Sequence, residues 1–406
     1  MIPFSPPHID DLIIEEVSKC LRSGWITTGP RTKLFEKKIS EYCGNEATVC
    51  VGSATAGLEL MLRWYGVGHG DEVILPAYTY CATANVIMHC GAKPVFVDIN
   101  KHDFNISFEN IKDAINYKTK VIMPVDFAGN CCDYDEILDY ISKLTTKRKF
   151  MPRTEEQAAL ERILVLADAA HSFGAVYKGR KTGTLADASV FSFHAVKNLT
   201  TAEGGAIALN FPEPFENEEI YRQLCISSLH GQNKDALAKL QKGSWKYDVT
   251  EAGYKCNMTD IQAAIGLVEL SRYDAILKKR KYICERYAAG LSEYDWAELP
   301  VLQDKDKDSS SSYHLFPLRI KKVNESKRDA IIQGIFDEDV AVNVHFLPVP
   351  MLSFYKTQGY RIMDFPIAYN QYSREISLPV YFDLTDEQIE TVIKAVIKVV
   401  ENSDSY

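Results

Sequence analysis

The sequence predicts an α/β fold, with a seven-stranded, mostly parallel sheet in a large domain and a smaller α+β domain at the C-terminal end. Two observations carry this. Seven short apolar runs punctuate residues 47–210, and the stretches between the first five leave room for helices. Short apolar strands joined by helical crossovers make a parallel sheet covered on both faces. After about Leu270 the pattern changes to one long helix, two strand-like runs and a closing helix, so the domains are set at 1–270 and 271–406.

Taken in order, Ile9, Ile13, Val17 and Leu21 recur as one helical face that Gly24 stops. Ala47–Val51 is the first strand. Leu58, Met61, Leu62 and Tyr65 then follow at helical spacing up to Gly66. The remaining strands are predicted at Glu72–Pro76, Pro94–Asp98, Lys120–Asp126, Ile163–Asp168, Ala188–Phe193 and Gly205–Asn210. Lys143–Glu161 is polar, contains Lys147-Arg148-Lys149, and reads as a solvated excursion. A helix is expected over Tyr273–Leu291 and strands over His314–Ile320 and Val340–His345. Asp304–Ser312 alternates aspartate with lysine, ends in serines, and reads as a flexible surface loop. From Asp386 a last helix is signalled by a Thr385/Gln388 capping box and a stripe of Ile389, Val392, Ile393, Val396 and Val400.

Composition narrows the function. At 406 residues with 46% hydrophobic and 25% charged residues, the chain can bury a large core, which excludes disorder as its main state. A net charge of −9 argues against nucleic acid or a polybasic membrane contact, though not against an anionic small molecule in a locally positive cleft. The ten cysteines include no Cys-x-x-Cys, and the histidines lack paired metal-ligand spacing, so neither a disulfide frame nor a metal site is expected. No run reaches the roughly 18 apolar residues of a membrane span, and Met1–Asp11 does not read as a signal peptide; the protein is expected in the cytoplasm.

Two glycine-rich segments are decoys. Gly66–Gly70 follows a helix and precedes a strand, the reverse of a dinucleotide fingerprint, and in Gly174–Thr182 the required Gly-Lys-Ser/Thr is broken by Arg180 and Lys181. Three other segments carry chemistry. Gly52-Ser53-Ala54-Thr55-Ala56-Gly57 lies between a strand and a helix, where small residues let an anion reach free backbone N–H groups; a plain N-cap reads the same way. Val165–His171 closes an apolar strand with Asp168, suited to a cationic partner or to capping the next turn. Phe191–Asn198 sets Lys197 just past a strand, as a nucleophile for carbonyls or as a solvated loop lysine. Their order is more telling than any one of them. A phosphate cup, a strand-end aspartate and then a lysine are the three parts that pyridoxal phosphate requires for its phosphate, its pyridinium nitrogen and its aldehyde.

With these motifs in view, the chain resembles the DegT/DnrJ/EryC1/StrS family of sugar aminotransferases, within the fold-type-I pyridoxal phosphate enzymes. The matching stretches run from Gly24–Pro30, Ser53–Ala56, Gly70–Ile74 and Pro76–Tyr80 through Asp168–His171, Ser192–Lys197 with Gly204-Gly205, and Gly253–Asp260 to Val344-His345-Phe346. The resemblance implies that Lys197 bonds the cofactor's aldehyde, Asp168 holds its ring nitrogen protonated, Tyr80 stacks on the ring and His171 lies beside it. It implies that Ala54, Thr55 and Ser192 hold the phosphate, joined by Asn257 from a partner subunit, and hence a homodimer with shared sites. Trp25, Thr28 and His345 fall on the substrate side. The implied reaction moves an amino group, from L-glutamate, onto a nucleotide-linked keto-sugar. The alternatives are a cyclitol or other cyclic ketone as acceptor, or a non-catalytic protein that keeps only the fold. Residues 143–161 are longer than usual for the family, His171 stands where glutamine is also found, and Cys256 stands where an aromatic residue is common.

Overall fold

A computed structural model of the chain describes residues 1–144, 150–234, 246–302 and 308–403. Its strands, in chain order, are β1 (Ala47–Val51), β2 (Glu72–Pro76), β3 (Lys93–Val97), β4 (Thr119–Ile122), β5 (Leu164–Asp168), the short β6 (Val176–Tyr177) and β7 (Arg180–Lys181), β8 (Ala188–Ser192) and β9 (Gly205–Leu209). Three more follow: β10 (Ala297–Glu298), β11 (Phe316–Ile320) and β12 (Glu375–Leu378). The main sheet has seven strands in the order β1-β9-β8-β5-β4-β2-β3. All seven runs read from the sequence are therefore strands of one sheet. Their apolar character follows from burial on both faces. Along β5, Leu164 and Leu166 enter one core, and Val165 and Ala167 enter the other.

Direction matters more than order. The pairs β2–β3, β2–β4, β4–β5 and β5–β8 are parallel, whereas β9 runs antiparallel to both β8 and β1. Six strands thus point one way and β9 alone is reversed. The carboxyl ends of β1, β2, β4, β5 and β8 meet the amino end of β9 along one edge, where ligands of parallel sheets gather.

The first helix, α1 (Asp11–Arg22), differs from expectation in its face. Ile13 and Cys20 are buried, while Ile9 and Leu21 are more than half exposed at 52% and 53%. A four-residue repeat drifts about 40° per step on a helix of 3.6 residues per turn, so the apparent stripe spirals off the contact. After α2 (Pro30–Cys43), α3 (Ala54–Trp64) buries Leu58, Met61 and Leu62 as predicted.

The polar stretch after Lys143 is a solvated excursion only in part where it is described: Met151, Pro152, Arg153, Glu155, Ala158 and Glu161 are exposed, while Gln157 and Leu160 are buried. Thr154 caps a helix over Glu155–Leu160, and the buried Gln157 donates to Tyr65 O at 2.9 Å. Arg153 pairs with Asp71 at 3.0 Å, and Lys120 Nζ donates to Met151 O at 2.5 Å. Gln157 is thus spent on a buried partner, and Arg153 reaches the buried Asp71 while its own side chain stays half exposed. Lys147-Arg148-Lys149 lie outside the described residues.

The second sheet is antiparallel, in the order β10-β11-β12. Phe316, Leu318, Ile376 and Leu378 face the predicted stripe of the Asp386–Ser403 helix, whose capping box closes through Thr385 N–Gln388 Oε1 at 3.0 Å and Gln388 N–Thr385 Oγ1 at 3.2 Å. The Tyr273–Leu291 helix has its predicted bounds. Val340–His345 is not a strand. It makes two isolated bridges, Val340 with Ile2 and Asn343 with Ser377, and its alternating valines face the core without a ladder beside them. The serines of 309–312 are not a surface loop either: Ser309, Ser311 and Ser312 are buried, and Ser310 bridges Val176. Asp304–Lys307 lie outside the described residues.

The two sheets are tied at several points. Ile2 joins the smaller core, Val349 N donates to Ala77 O at 3.0 Å, and Asp98 accepts from Ile367 N and Ala368 N at 2.9 and 2.8 Å. Arg319 of β11 donates to Lys101 O at 3.2 Å and lies 5.1 Å over the Phe104 ring. Val349, Tyr355, Ala368 and Tyr372 pack into the core of the large sheet. Every cysteine is a free thiol. Among the described residues no helix is long and apolar enough to cross a membrane, and no cluster of three His, Cys, Asp or Glu is gathered as for a metal ion.

Candidate active site

A cavity of about 340 Å³ opens where the strand ends meet. Past β1, Ser53 Oγ accepts the Ala56 N–H at 3.1 Å and caps α3, so the cap and the cup are the same turn. Ala54 and Thr55 line the cavity at the positive end of that helix. The amino end of β9 closes the cup: a Cβ on Gly205 would stand 2.5 Å from Ala54 N and 2.7 Å from Ser53 C. Only glycine lets the two backbones approach this closely.

Asp168 ends β5 and is buried. Its Oδ2 accepts from Thr83 Oγ1 at 2.8 Å, and Oδ1 accepts the Ala170 N–H at 3.3 Å. Burial lifts its carboxyl above the usual range, opposed by those two hydrogen bonds and by the Lys197 charge. Lys197 follows β8 in a turn closed by its own N–H on His194 O at 2.9 Å. It is no solvated loop lysine. Burial depresses its ammonium to about 8, with Asp168 opposing the shift and Arg280 adding to it. Ser192 and Tyr80 line the same cavity, and the Tyr80 ring lies 5.7 Å from that of Phe346.

Three histidines stand with Phe346 on the remaining wall, and the hydrogen bonds of two of them assign their protons. His171 Nδ1 accepts the Ala128 N–H at 3.3 Å, so its proton sits on Nε2. His314 Nδ1 donates to Asn198 Oδ1 at 2.8 Å, an oxygen that also accepts from Arg280 Nε at 2.7 Å. The His171 and His314 rings are 4.3 Å apart. Burial, with the nearby cationic groups, holds both far below the usual histidine range, so both are neutral. Burial, then Lys197, lowers His345 to about 3. Its ring stacks on Phe4 at 5.4 Å, its carbonyl accepts from Tyr78 at 2.5 Å, and its Nδ1 meets Ser377 Oγ at 3.0 Å.

Of the residues predicted for the site, Ala54, Thr55, Tyr80 and Asp168 share this cavity with His171, Ser192, Lys197 and His345. Trp25, Thr28 and Asn257 do not line it. They form a cluster of their own, with Trp25 Nε1 on Thr28 O at 3.1 Å and Asn257 Nδ2 on Thr28 Oγ1 at 2.6 Å. The cluster lies behind the cup, where Gly52 N donates to Cys256 O at 2.6 Å. Sequence reasoning missed His314, Asn198, Arg280, Thr83, Ser377 and Glu375. Asn198 did stand beside the singled-out Lys197, and His314 opened a predicted strand, but no spacing links either to His171.

The residues fit the cofactor that the sequence implied. The cup is kept open to backbone N–H groups by Gly205, Asp168 is a buried carboxylate suited to a protonated ring nitrogen, and among the described residues no protein group hydrogen-bonds the Lys197 amine.

Comparison with known proteins agrees with this arrangement. Residues 7–397 match the model of the DegT/DnrJ/EryC1/StrS aminotransferase family. The spore coat polysaccharide biosynthesis protein SpsC of Bacillus subtilis is 38% identical over 99% of this chain and 98% of its own. Spr1654 of Streptococcus pneumoniae, named as a sugar aminotransferase, superposes in its PMP-form with a TM-score of 0.95 and 45% identity, covering 99% of this chain and all (100%) of that one. Its PLP-form gives 0.94 and 43%, covering 99% of each chain. PseC of Helicobacter pylori, an aminotransferase involved in the biosynthesis of pseudoaminic acid, gives 0.84 and 27%, covering 99% of each chain.

Proposed function

The chain belongs to the DegT/DnrJ/EryC1/StrS aminotransferase family, and from that premise we propose a pyridoxal-phosphate-dependent enzyme that moves an amino group from L-glutamate to a nucleotide-linked keto-sugar. Its product would feed a surface polysaccharide or glycoconjugate from the cytoplasm. The observation that carries this reading is the convergence of the cup, Asp168 and Lys197 on one cavity. The names of SpsC, a spore coat polysaccharide biosynthesis protein, and of Spr1654, a sugar aminotransferase, support the choice of substrate class.

Bound in this cavity, pyridoxal phosphate supplies an electron sink for the carbanion left when the donor loses its α-proton. The chain's own residues do the rest. Asp168 keeps a proton on the ring nitrogen. Backbone N–H groups of Ala54 and Thr55, with the Ser192 hydroxyl, take the phosphate, and Tyr80 covers a ring face. His171 offers Nε2–H as a donor. Lys197 Nζ, which burial depresses to about 8, would hold the cofactor through its aldehyde and would be the group that carries the donor's α-proton. Residues 1–270 act in this reading as the cofactor-binding unit, and 271–406 bring His345 to the substrate side.

Asn257, Thr28 and Trp25 belong in this reading to a partner's site across a homodimer, with Asn257 at the partner's phosphate. Mixing Lys197→Ala with Asn257→Trp under subunit exchange should restore part of the activity, because one mixed site carries neither lesion. No recovery despite exchange removes the shared site. The reaction itself is tested by offering the cofactor-loaded protein a panel of keto-sugar nucleotides and cyclitol ketones with glutamate consumption as the readout. Turnover on a keto-sugar nucleotide is expected. A loaded protein that is inert to all of them, or that uses only a cyclitol ketone, overturns it.

A further inference from the structure

Behind His345 lies a buried carboxyl that the mechanism above leaves unused. Glu375 and Ser377 sit two residues apart on β12, so their side chains leave the same face, and both are fully buried. Glu375 Oε2 accepts the His345 backbone N–H at 3.0 Å. Its other oxygen, Oε1, is hydrogen-bonded to Ser377 Oγ, which in turn meets His345 Nδ1 at 3.0 Å. The bridge between Asn343 and Ser377 holds the two segments in register. With Nδ1 engaged, Nε2 is the nitrogen His345 has left for an occupant of the cavity it lines.

We infer that Glu375, Ser377 and His345 form a proton relay in which the state of Glu375 decides whether His345 presents Nε2 to the cavity as a donor or as an acceptor.

The hydrogen count forces this outcome. A neutral imidazole has one N–H, and a serine has one O–H. With Glu375 ionised, Ser377 gives its hydrogen to Oε1 and must accept from His345 Nδ1–H, which leaves Nε2 bare. With Glu375 protonated, Oε2 is already taken by the backbone N–H, so the proton sits on Oε1 and is donated to Ser377 Oγ. Ser377 then donates to Nδ1, and the imidazole proton is on Nε2. In transfer, Glu375 passes its proton to Ser377, Ser377 passes its own to Nδ1, and Nε2–H leaves to the ligand. One proton moves, one acid is spent, and no electrons are exchanged.

The surroundings suit a carboxyl that changes state near neutrality. Burial pushes Glu375 up to about 8, opposed by the Ser377 and His345 hydrogen bonds and then by Arg328 and Arg319. Neither arginine bonds the carboxyl. Arg328, from the Glu325–Asp337 helix, donates to Tyr372 O at 2.5 Å and to Glu375 O at 2.9 Å. Arg319, from β11, pairs with Glu298 at 3.0 Å. Past β2, the Tyr78 phenol donates to His345 O. His345 itself stays neutral, so the relay changes its polarity without changing its charge.

The relay rests on the proposed function only in what the proton is used for. The test reads the two imidazole nitrogens of His345 by 15N NMR of histidine-labelled holoenzyme, with His345→Gln assigning the signal. In the wild type the proton should move from Nε2 to Nδ1 as the pH is raised through about 8. Glu375→Gln keeps an acceptor for the backbone N–H and a permanent donor for Ser377, so it should hold Nε2–H at every pH. Ser377→Ala should uncouple the ring from the titration. A wild-type His345 with one tautomer throughout, or a Glu375→Gln protein that still switches, overturns the relay. A switching His345 in a protein that aminates no keto-sugar leaves the relay standing and sinks the proposed function. Keto-sugar transfer with a static tautomer does the reverse.

Discussion

The two walls of the cavity are built by different means. On the sheet side, each group stands where a strand ends: the cup after β1, Asp168 at the end of β5, and Lys197 past β8. The backbone ladder fixes their positions, and their side chains are left for chemistry. On the opposite wall, His345 lies in a segment without a ladder. Its ring is held by side chains and backbone far away in sequence, with Phe4 stacked on it, Tyr78 on its carbonyl and the Glu375–Ser377 pair at its nitrogens. The sheet can hold a reactive group apart from other side chains, as it does Lys197, whose amine hydrogen-bonds no group among the described residues. The wall without a sheet must spend polar contacts to hold anything at all.

If that division is right, single substitutions on the sheet side remove chemistry, while those on the opposite wall shift an equilibrium. Lys197→Ala should cost more than about 10⁴-fold in turnover, because one group serves as both nucleophile and proton carrier. Borohydride should fix the cofactor on Lys197 in the wild type and on no lysine in the variant. A labelled peptide from any other lysine would break the comparison at its strongest point. Asp168→Asn should fold, bind cofactor and lose about 10²–10³-fold in rate, since a neutral amide cannot hold the ring nitrogen protonated. Near-normal rates would reduce Asp168 to a cap on the Ala170 turn. Thr83→Val keeps shape and removes the 2.8 Å hydrogen bond to Asp168. A bond to a charged group contributes about 1.5–3 kcal/mol, so a loss of roughly tenfold or more is expected, and an unchanged rate would show that Asp168 needs no second support.

The effect expected of the other wall is read in stability rather than in rate. Glu375 binds its proton more tightly folded, at about 8, than at its ordinary value of 4.5. The folded state therefore holds the extra proton between these values, and its advantage is lost as the pH rises through that window. Relative to Glu375→Gln, the wild type should lose up to about 1.4 kcal/mol of stability per pH unit there. Thermal melts of both proteins from pH 5 to about 8 should diverge in this sense. Parallel curves would mean that folding does not raise the proton affinity of Glu375.

The same division explains what could be read in advance. All seven strands of the main sheet were legible because burial on both faces leaves an uninterrupted apolar run. The sheet-side groups were legible because strand ends put them in a fixed order. Val340–His345 misled because alternating valines report which way side chains face and say nothing about a neighbour to pair with. The serines of 309–312 misled for the opposite reason. A polar run suggests water, yet Ser312 donates to His171 O, and Asn198 Nδ2 donates to Ser312 O at 2.7 Å. Glu375 and Ser377 gave no local signal at all. Their meaning comes from a hydrogen-bond partner 30 or more residues away in the chain, and no spacing rule reaches that far.

The ties between the two sheets bear on how the molecule moves. A clamshell closing on its substrate needs a hinge crossed by few contacts. Here the smaller sheet is fastened to the larger through Ile2, the Arg319–Lys101 contact, the Asp98 anchor at residues 367–368 and the Val349–Ala77 bond, and Val349, Tyr355, Ala368 and Tyr372 are packed into the larger core. Opening the sheets as rigid bodies would break all of these together. Breathing at the cavity mouth is therefore left to side chains such as that of Tyr80, a residue 59% exposed, and to backbone outside both ladders. Hydrogen exchange should find the amides of β11 and β12 as slow as those of the main sheet, and the fast ones at the rim.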